Sequence, residues 1–157
     1  MAYLDVISLE TAKNYLGIDD TLTEDDNDIT RMIKGALMRV EKSTNILVYA
    51  RDKNYLLQDC ECRVYDYPIN TLNTPIDAEA ELKPLYSNYS VSDSDVDYLS
   101  LNVGYTDTTS DDLSDLIDVA LEIVEINYYG EKERGASKKE LSNYSKEILH
   151  INKRFLL

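Results

Sequence analysis

Two stretches of this chain carry apolar residues at helical spacing, and a long stretch without that spacing lies between them. The first holds Ile29, Met32, Ile33, Ala36, Leu37 and Val40; the second holds Leu113, Leu116, Ile117, Ala120, Leu121, Val124 and Tyr128. At 3.6 residues per turn each set falls on one stripe, and an apolar stripe must be buried against another element. The two are predicted to pack against each other in one core. Thr23 is expected to cap the first of these helices, with Glu24, Asp25, Asp26 and Asp28 at its positive end, where the macrodipole favours carboxylates. Running to residue 43 or 44, it is a rod of roughly 30 Å. The second is predicted to start after Ser110, with Asp111, Asp112 and Asp115 in its opening turns, and to stop at Gly130. A shorter helix precedes both: Ser8 is its cap, Leu9, Ala12, Tyr15 and Leu16 share a face, and Gly17 can end it.

Between the long helices the pattern changes to that of strands. From residue 55 to 67 β-favouring residues rise, and Pro68, Pro75 and Pro84 punctuate the next stretch of chain. The segment between Pro68 and Pro75 reads as a turn-rich or edge segment. A second β region runs through Leu85, Tyr86, Tyr89 and Val91. The clearest strand covers residues 98–105, where Leu99, Leu101, Val103 and Tyr105 alternate with Ser100, Asn102 and Gly104. Cys60 and Cys62, two apart, are expected on one strand face as buried thiols. The expected fold is therefore α+β but mainly α: a helical bundle with a β-rich insertion between its second and third helices, at about residues 45–105, and a C-terminal extension. Residues 1–134 form the domain and 135–157 the extension or arm.

At 157 residues with 43% hydrophobic composition, the chain can bury a sizeable core. Its formal net charge is −14, from 30 acidic against 16 basic side chains. Binding to nucleic acid phosphates requires basic groups, so free nucleic acid is a poor partner. The charge is either a solvated surface that keeps copies apart or the lining of a passage through which DNA slides without sticking. No apolar run reaches membrane-spanning length, so no membrane is expected. Met1-Ala2-Tyr3-Leu4-Asp5 lacks the basic and apolar parts of a signal peptide, so a cytoplasmic origin is expected.

Catalytic and metal chemistry finds no footing. His150 is the single histidine and the two cysteines are the only thiols, too few for a closed zinc site. Asp93-Ser94-Asp95-Val96-Asp97 imitates the start of a calcium loop, but its sixth and twelfth positions hold Tyr98 and Gly104 where glycine and glutamate are needed. Five scattered glycines make no phosphate-cradling loop. His150 has no nucleophile beside it in sequence, and carboxylates are so common that none stands out. No enzyme activity, no catalytic residue, no metal and no cofactor is expected. Thirteen tyrosines against one phenylalanine suit half-buried surfaces and interfaces.

The tail turns basic, with Lys132, Arg134, Lys138, Lys139, Lys146, Lys153 and Arg154, and ends on Phe155-Leu156-Leu157. Leu141, Tyr144, Ile148 and Ile151 are compatible with one more helix. Tyr144, Ile148, Ile151, Arg154, Phe155, Leu156 and Leu157 form the candidate interface. The tail either crosses to another molecule or folds back on its own domain.

The N-terminal run Ile7-Ser8-Leu9-Glu10-Thr11-Ala12-Lys13-Asn14-Tyr15-Leu16-Gly17-Ile18-Asp19 resembles the opening of the gp6-like head–tail connector (adaptor, or ring) proteins of tailed bacteriophages. An acidic loop and a long helix come next in that family, matched by residues 25–44. Then come a β-rich middle with a proline after its first strands, as at Pro68, and a strand ending in Gly-Tyr, as at Val103-Gly104-Tyr105. An acidic helix start and an aromatic helix end close the pattern, as at Tyr128-Tyr129-Gly130-Glu131. The resemblance covers most of residues 7–134; the tail has no counterpart in it. It implies a structural virion protein, made in the host bacterial cytoplasm and located at the capsid–tail neck. A ring of about twelve neighbouring copies would sit beneath the portal protein, bind a downstream tail or neck protein, and extend a channel that DNA crosses without specific binding. The competing reading is a small acidic binding protein, for example a DNA-mimic inhibitor of a host target.

Overall fold

The structure, a computed structural model, describes residues 2–74, 79–82, 87–91, 97–107, 110–132 and 140–152. The elements run α1 (Tyr3–Val6), α2 (Leu9–Leu16), α3 (Asp26–Thr44), β1 (Arg51–Leu56), β2 (Glu61–Val64), β3 (Ile69–Thr74), β4 (Glu79–Leu82), β5 (Ser87–Ser90), β6 (Tyr98–Val103), α4 (Asp111–Lys132) and α5 (Asn143–Ile151). The chain divides into two compact units: one holds Met1–Thr44 with Asp107–Lys153, the other Asn45–Thr106.

The helical unit is built as its apolar spacing dictates, with one shift of face. Ile29, Met32, Ile33, Ala36, Leu37 and Val40 are buried along α3, as are Leu113, Leu116, Ala120, Leu121, Val124 and Tyr128 along α4. Val119 and Ile123 are buried too, while Ile117 is only partly so. The buried face of α4 is thus wider than one stripe, because α4 meets both α3 and α5. Ser8 caps α2 by accepting from Thr11 N at 3.0 Å, and Gly17 ends it at φ +69°. Thr23 is not the cap of α3. A turn closes from Asp26 N to Thr23 O, and the helix begins at Asp26. Gly130 does not stop α4, which continues to Lys132. A glycine inside a helix only weakens it, by about 1 kcal/mol, and ends it only where the chain turns left-handed.

The expectation of a mainly helical bundle carrying a β-rich insertion is overturned. Strand makes up 24% of the described residues beside 48% helix, so the fold is α+β. The strands form two antiparallel three-stranded sheets, ordered β1-β6-β3 and β2-β5-β4. They also have a core of their own, in which Leu47, Cys62, Val64, Tyr89, Leu99, Leu101 and Val103 are buried, with Tyr55, Leu57, Ile69 and Leu72 packed against them. Apolar side chains drawn from both sheets can satisfy one another, so this region is a unit with its own interior rather than a loop dressed with strands.

β6 holds the first sheet together. Its pairing with β1 sets Arg51 opposite Val103 and Leu56 opposite Tyr98, and its other edge takes β3 through two register shifts. The alternation of Leu99, Leu101 and Val103 puts all three inside. Cys60 is not on a strand. Asp59 and Cys60 lie at φ +52° and +63°, and Gln58 and Glu61 exchange both backbone hydrogen bonds across them. That is the pattern of a two-residue hairpin loop of left-handed residues. Cys62 alone is buried, at the start of β2, and burial pushes its thiol upward, away from reactive thiolate. Pro75, Pro84, Leu85, Tyr86 and the aspartates 93 and 95 lie outside the described residues.

Candidate functional site

The N-terminal motif turns out to be a piece of scaffolding, residue by residue. Ala12 and Leu16 are buried in the helical unit. Asp19 accepts from both the backbone N and the hydroxyl of Thr21, at 2.9 and 2.6 Å, and these bonds hold its carboxyl below the usual range. Lys13 is the residue that helical spacing could not single out. It is 3% exposed; its ammonium meets Asp26 Oδ1 at 2.7 Å and donates to the Asp20 carbonyl at 3.1 Å. Asp26 Oδ1 is buried without a well-aligned hydrogen bond, so the nearby ammonium charge is what compensates it. This lysine closes the acidic loop onto the start of α3. Lys13→Met is expected to cost about 3 kcal/mol, because it leaves a carboxylate without its cation. Urea unfolding of the single variant and of Lys13→Met with Asp26→Asn checks it: the second change should recover part of the loss.

Tyrosine hydroxyls do much of the pairing that few lysines are available to do. Tyr3 donates to Glu41 at 2.7 Å, Tyr128 to Asp25 at 2.7 Å, and Tyr144 to Asp115 at 3.0 Å. In the β unit Tyr55 donates to Asp66 at 2.5 Å, beside Lys53 on the same oxygen. Burial first, then Asp66, pushes the Tyr55 phenol up, so it stays a donor. A phenol adds an apolar ring and a donor without adding charge, which accounts for tyrosine where phenylalanine would leave acids unpartnered.

The tail helix lies on its own body. Glu122 on α4 accepts from Ser142 N at 2.5 Å, from the Ser142 hydroxyl at 2.9 Å and from the Ser145 hydroxyl. A carboxylate therefore sits at the positive end of α5 and satisfies its first donors. Ser145 is buried beneath it. Of the candidate interface residues, Tyr144, Ile148 and Ile151 fall at i, i+4 and i+7 of α5, one outward stripe, with Tyr144 52% and Ile151 68% exposed and Ile148 half-buried. The hydrogen bond to Asp115 pushes the Tyr144 phenol above its ordinary pKa. Arg154, Phe155, Leu156 and Leu157 lie outside the described residues.

Two further surfaces went unrecognised at the level of sequence. A groove of about 420 Å³ in the helical unit is lined by Arg39, Ile123, Ile126, Asn127, Glu140, Leu141 and Lys146. In the β unit, Leu56 and Tyr98 face each other across β1 and β6 and are both largely exposed. Among the described residues, no group of three or more His, Cys, Asp or Glu is placed to hold a metal ion, and no helix is long and apolar enough to cross a membrane. His150 is exposed on the last turn of α5.

No family model matches the chain, and no curated protein matches it by sequence. Its fold does match solved structures. One is a chain from the neck of an empty gene transfer agent particle computed with C6 symmetry, at a TM-score of 0.71 and 11% identity, over 98% of this chain and 92% of that one. Another is a chain from the virion of the native gene transfer agent particle, at a TM-score of 0.68 and 12% identity over the same shares. At such identities the likeness is one of fold, and it runs nearly end to end in both directions.

Proposed function

We propose that this protein is a structural component of the neck of a tailed-phage-like particle, where copies form a ring beneath the portal and extend the DNA channel toward the tail. The observation that carries this reading is the near-complete fold match to a chain of a particle neck. Partial matches are common among unrelated functions; here the helical unit and the β unit are both matched, in order. The resemblance of residues 7–134 to head–tail connectors points to the same place. A ring of about twelve copies and a ring of six both obey the sixfold symmetry of that neck.

The mechanism is geometry and charge rather than chemistry. An acidic wall repels the DNA backbone, so DNA passes without being held. The outward stripe of α5, Tyr144, Ile148 and Ile151, is the surface we assign to assembly, with residues 154–157 continuing it in sequence. Ile151→Asp should leave stability within about 0.5 kcal/mol of the parent, since the position is exposed, yet lower incorporation into particles. Counting labelled copies per purified particle checks this, and normal incorporation would remove the stripe from the interface.

Each copy carries −14, so ring closure must overcome self-repulsion. The isolated chain is expected to be mainly monomeric at low ionic strength and to associate more readily as salt screens the charge. Light scattering across a salt series tests this; a stable closed ring at low salt with no partner present would contradict it. Imaging the intact particle with a tagged copy tests the function itself. Density at the capsid–tail junction supports the neck reading; a tag absent from particles but found on a host protein would favour an acidic inhibitor.

A further inference from the structure

We infer that neighbouring copies join through the acidic loop before α3, with Leu22 of one copy seated in the groove lined by Ile123, Ile126 and Leu141 of the next. The inference rests on the ring reading and specifies its contact. Leu22 is 58% exposed in a loop whose Asp19, Asp20, Thr21, Thr23 and Glu24 are also exposed. That loop is held in shape from beneath: Lys13 grips the Asp20 carbonyl and Asp26, and Asp19 folds back on Thr21. A single apolar side chain is thus presented on a rigid acidic support, so little ordering cost remains to be met on binding.

The groove has complementary chemistry. Its floor is apolar, with Ile123 buried and Ile126 and Leu141 half-buried. Its rim carries Arg39 and Lys146 against one carboxylate, Glu140, which Lys146 holds at 2.9 Å and below its usual pKa. With Lys146 paired to Glu140, Arg39 leaves the rim net positive, and in a chain of net charge −14 such a groove favours an acidic partner segment bearing an apolar tip, which the chain itself supplies. Loop and groove are different surfaces, so the contact is heterologous, the kind that builds rings.

The test uses the full chain with three variants at exposed positions, Leu22→Asp, Glu24→Arg and Arg39→Glu, each first shown to unfold as the parent does. At one fixed ionic strength permitting parent association, each variant should self-associate at least about tenfold more weakly by sedimentation velocity. Mixing Glu24→Arg with Arg39→Glu should restore association, because the reversed loop of one fits the reversed rim of the other while the remaining pairing is native. Rings from that mixture should hold an even number of copies with the variants alternating. Parent rings that persist in all three variants, or an inert mixture, overturn the contact while the neck reading stands. Loss of portal docking by Arg39→Glu with unchanged self-association also overturns it, by giving the groove to another partner. A tagged parent absent from particles removes the neck reading and the contact with it.

Discussion

Gly104→Ala is expected to destabilise the protein by about 4 kcal/mol or more, the largest effect of an alanine substitution among the described glycines. Gly104 sits at φ +110°, where side chains are strained whatever the space. The space is also absent: a Cβ there would lie 2.1 Å from the Tyr49 carbonyl oxygen and 2.6 Å from its carbon, both backbone atoms. Main chain cannot yield as the tip of a lysine can. The surrounding hydrogen bonds bind several segments at this point. Gly104 N donates to Pro68 O at 2.7 Å, Tyr105 N to Leu47 O at 3.1 Å, and Ala50 N to Tyr105 O at 2.7 Å. Moving the strand end to admit a methyl group would break them. Denaturant unfolding of the variant against the parent gives the number; a loss under about 1 kcal/mol would mean that the backbone relaxes freely here.

Leu37→Ala should cost about 2–5 kcal/mol, through lost transfer free energy and the cavity it leaves. Leu37 is fully buried on α3, with Ile33, Ala36 and Val40 equally inaccessible along the same helix. Helices α3 and α4 are long and backed by other elements, so the site cannot collapse easily, which favours the upper half of that range. Met38, the next residue, is 43% exposed and serves as the control. Met38→Ala should stay within about 0.5 kcal/mol of the parent. Equal losses at both positions in urea unfolding would contradict the assigned face of α3.

How much could be read beforehand varied with the range of the interaction involved. Ser8 as a cap, Gly17 as a left-handed stop and the inward Leu99, Leu101 and Val103 depend on contacts within a few residues, and they were legible. The turn at Asp59–Cys60 is equally local but was missed, because such loops are announced by glycine or asparagine and this one carries cysteine at its second left-handed position. Misplacing that turn put both thiols on one face. The start of α3 was misplaced for a different reason. Several acids in a row all suit a helix N-terminus, and what assigns them is distant: Asp25 is taken by Tyr128 and Asp26 by Lys13.

The candidate interface shows the same division. The helical spacing of Tyr144, Ile148 and Ile151 was legible as a stripe. That Glu122 and Asp115 on α4 would hold the helix bearing it, and so decide which side faces outward, was not. The Arg39–Leu141 groove draws on three helices and has no signature in any one of them.

By itself, then, the sequence determined the elements whose evidence is periodic: two long amphipathic helices, a short capped one, an alternating strand, and a charge that argues against binding DNA phosphates. Periodicity says which face of an element is apolar, because side-chain direction repeats with the backbone. It does not say what that face meets. Only the tertiary structure decided that the strands own a separate core, which turned an expected bundle with an insertion into an α+β protein of two units. It alone decided that Lys13 is buried against Asp26 and that Gly104 must lack a side chain beside Tyr49. Each of these rests on atoms brought together from far along the chain, and packing of that kind leaves no regular spacing to read.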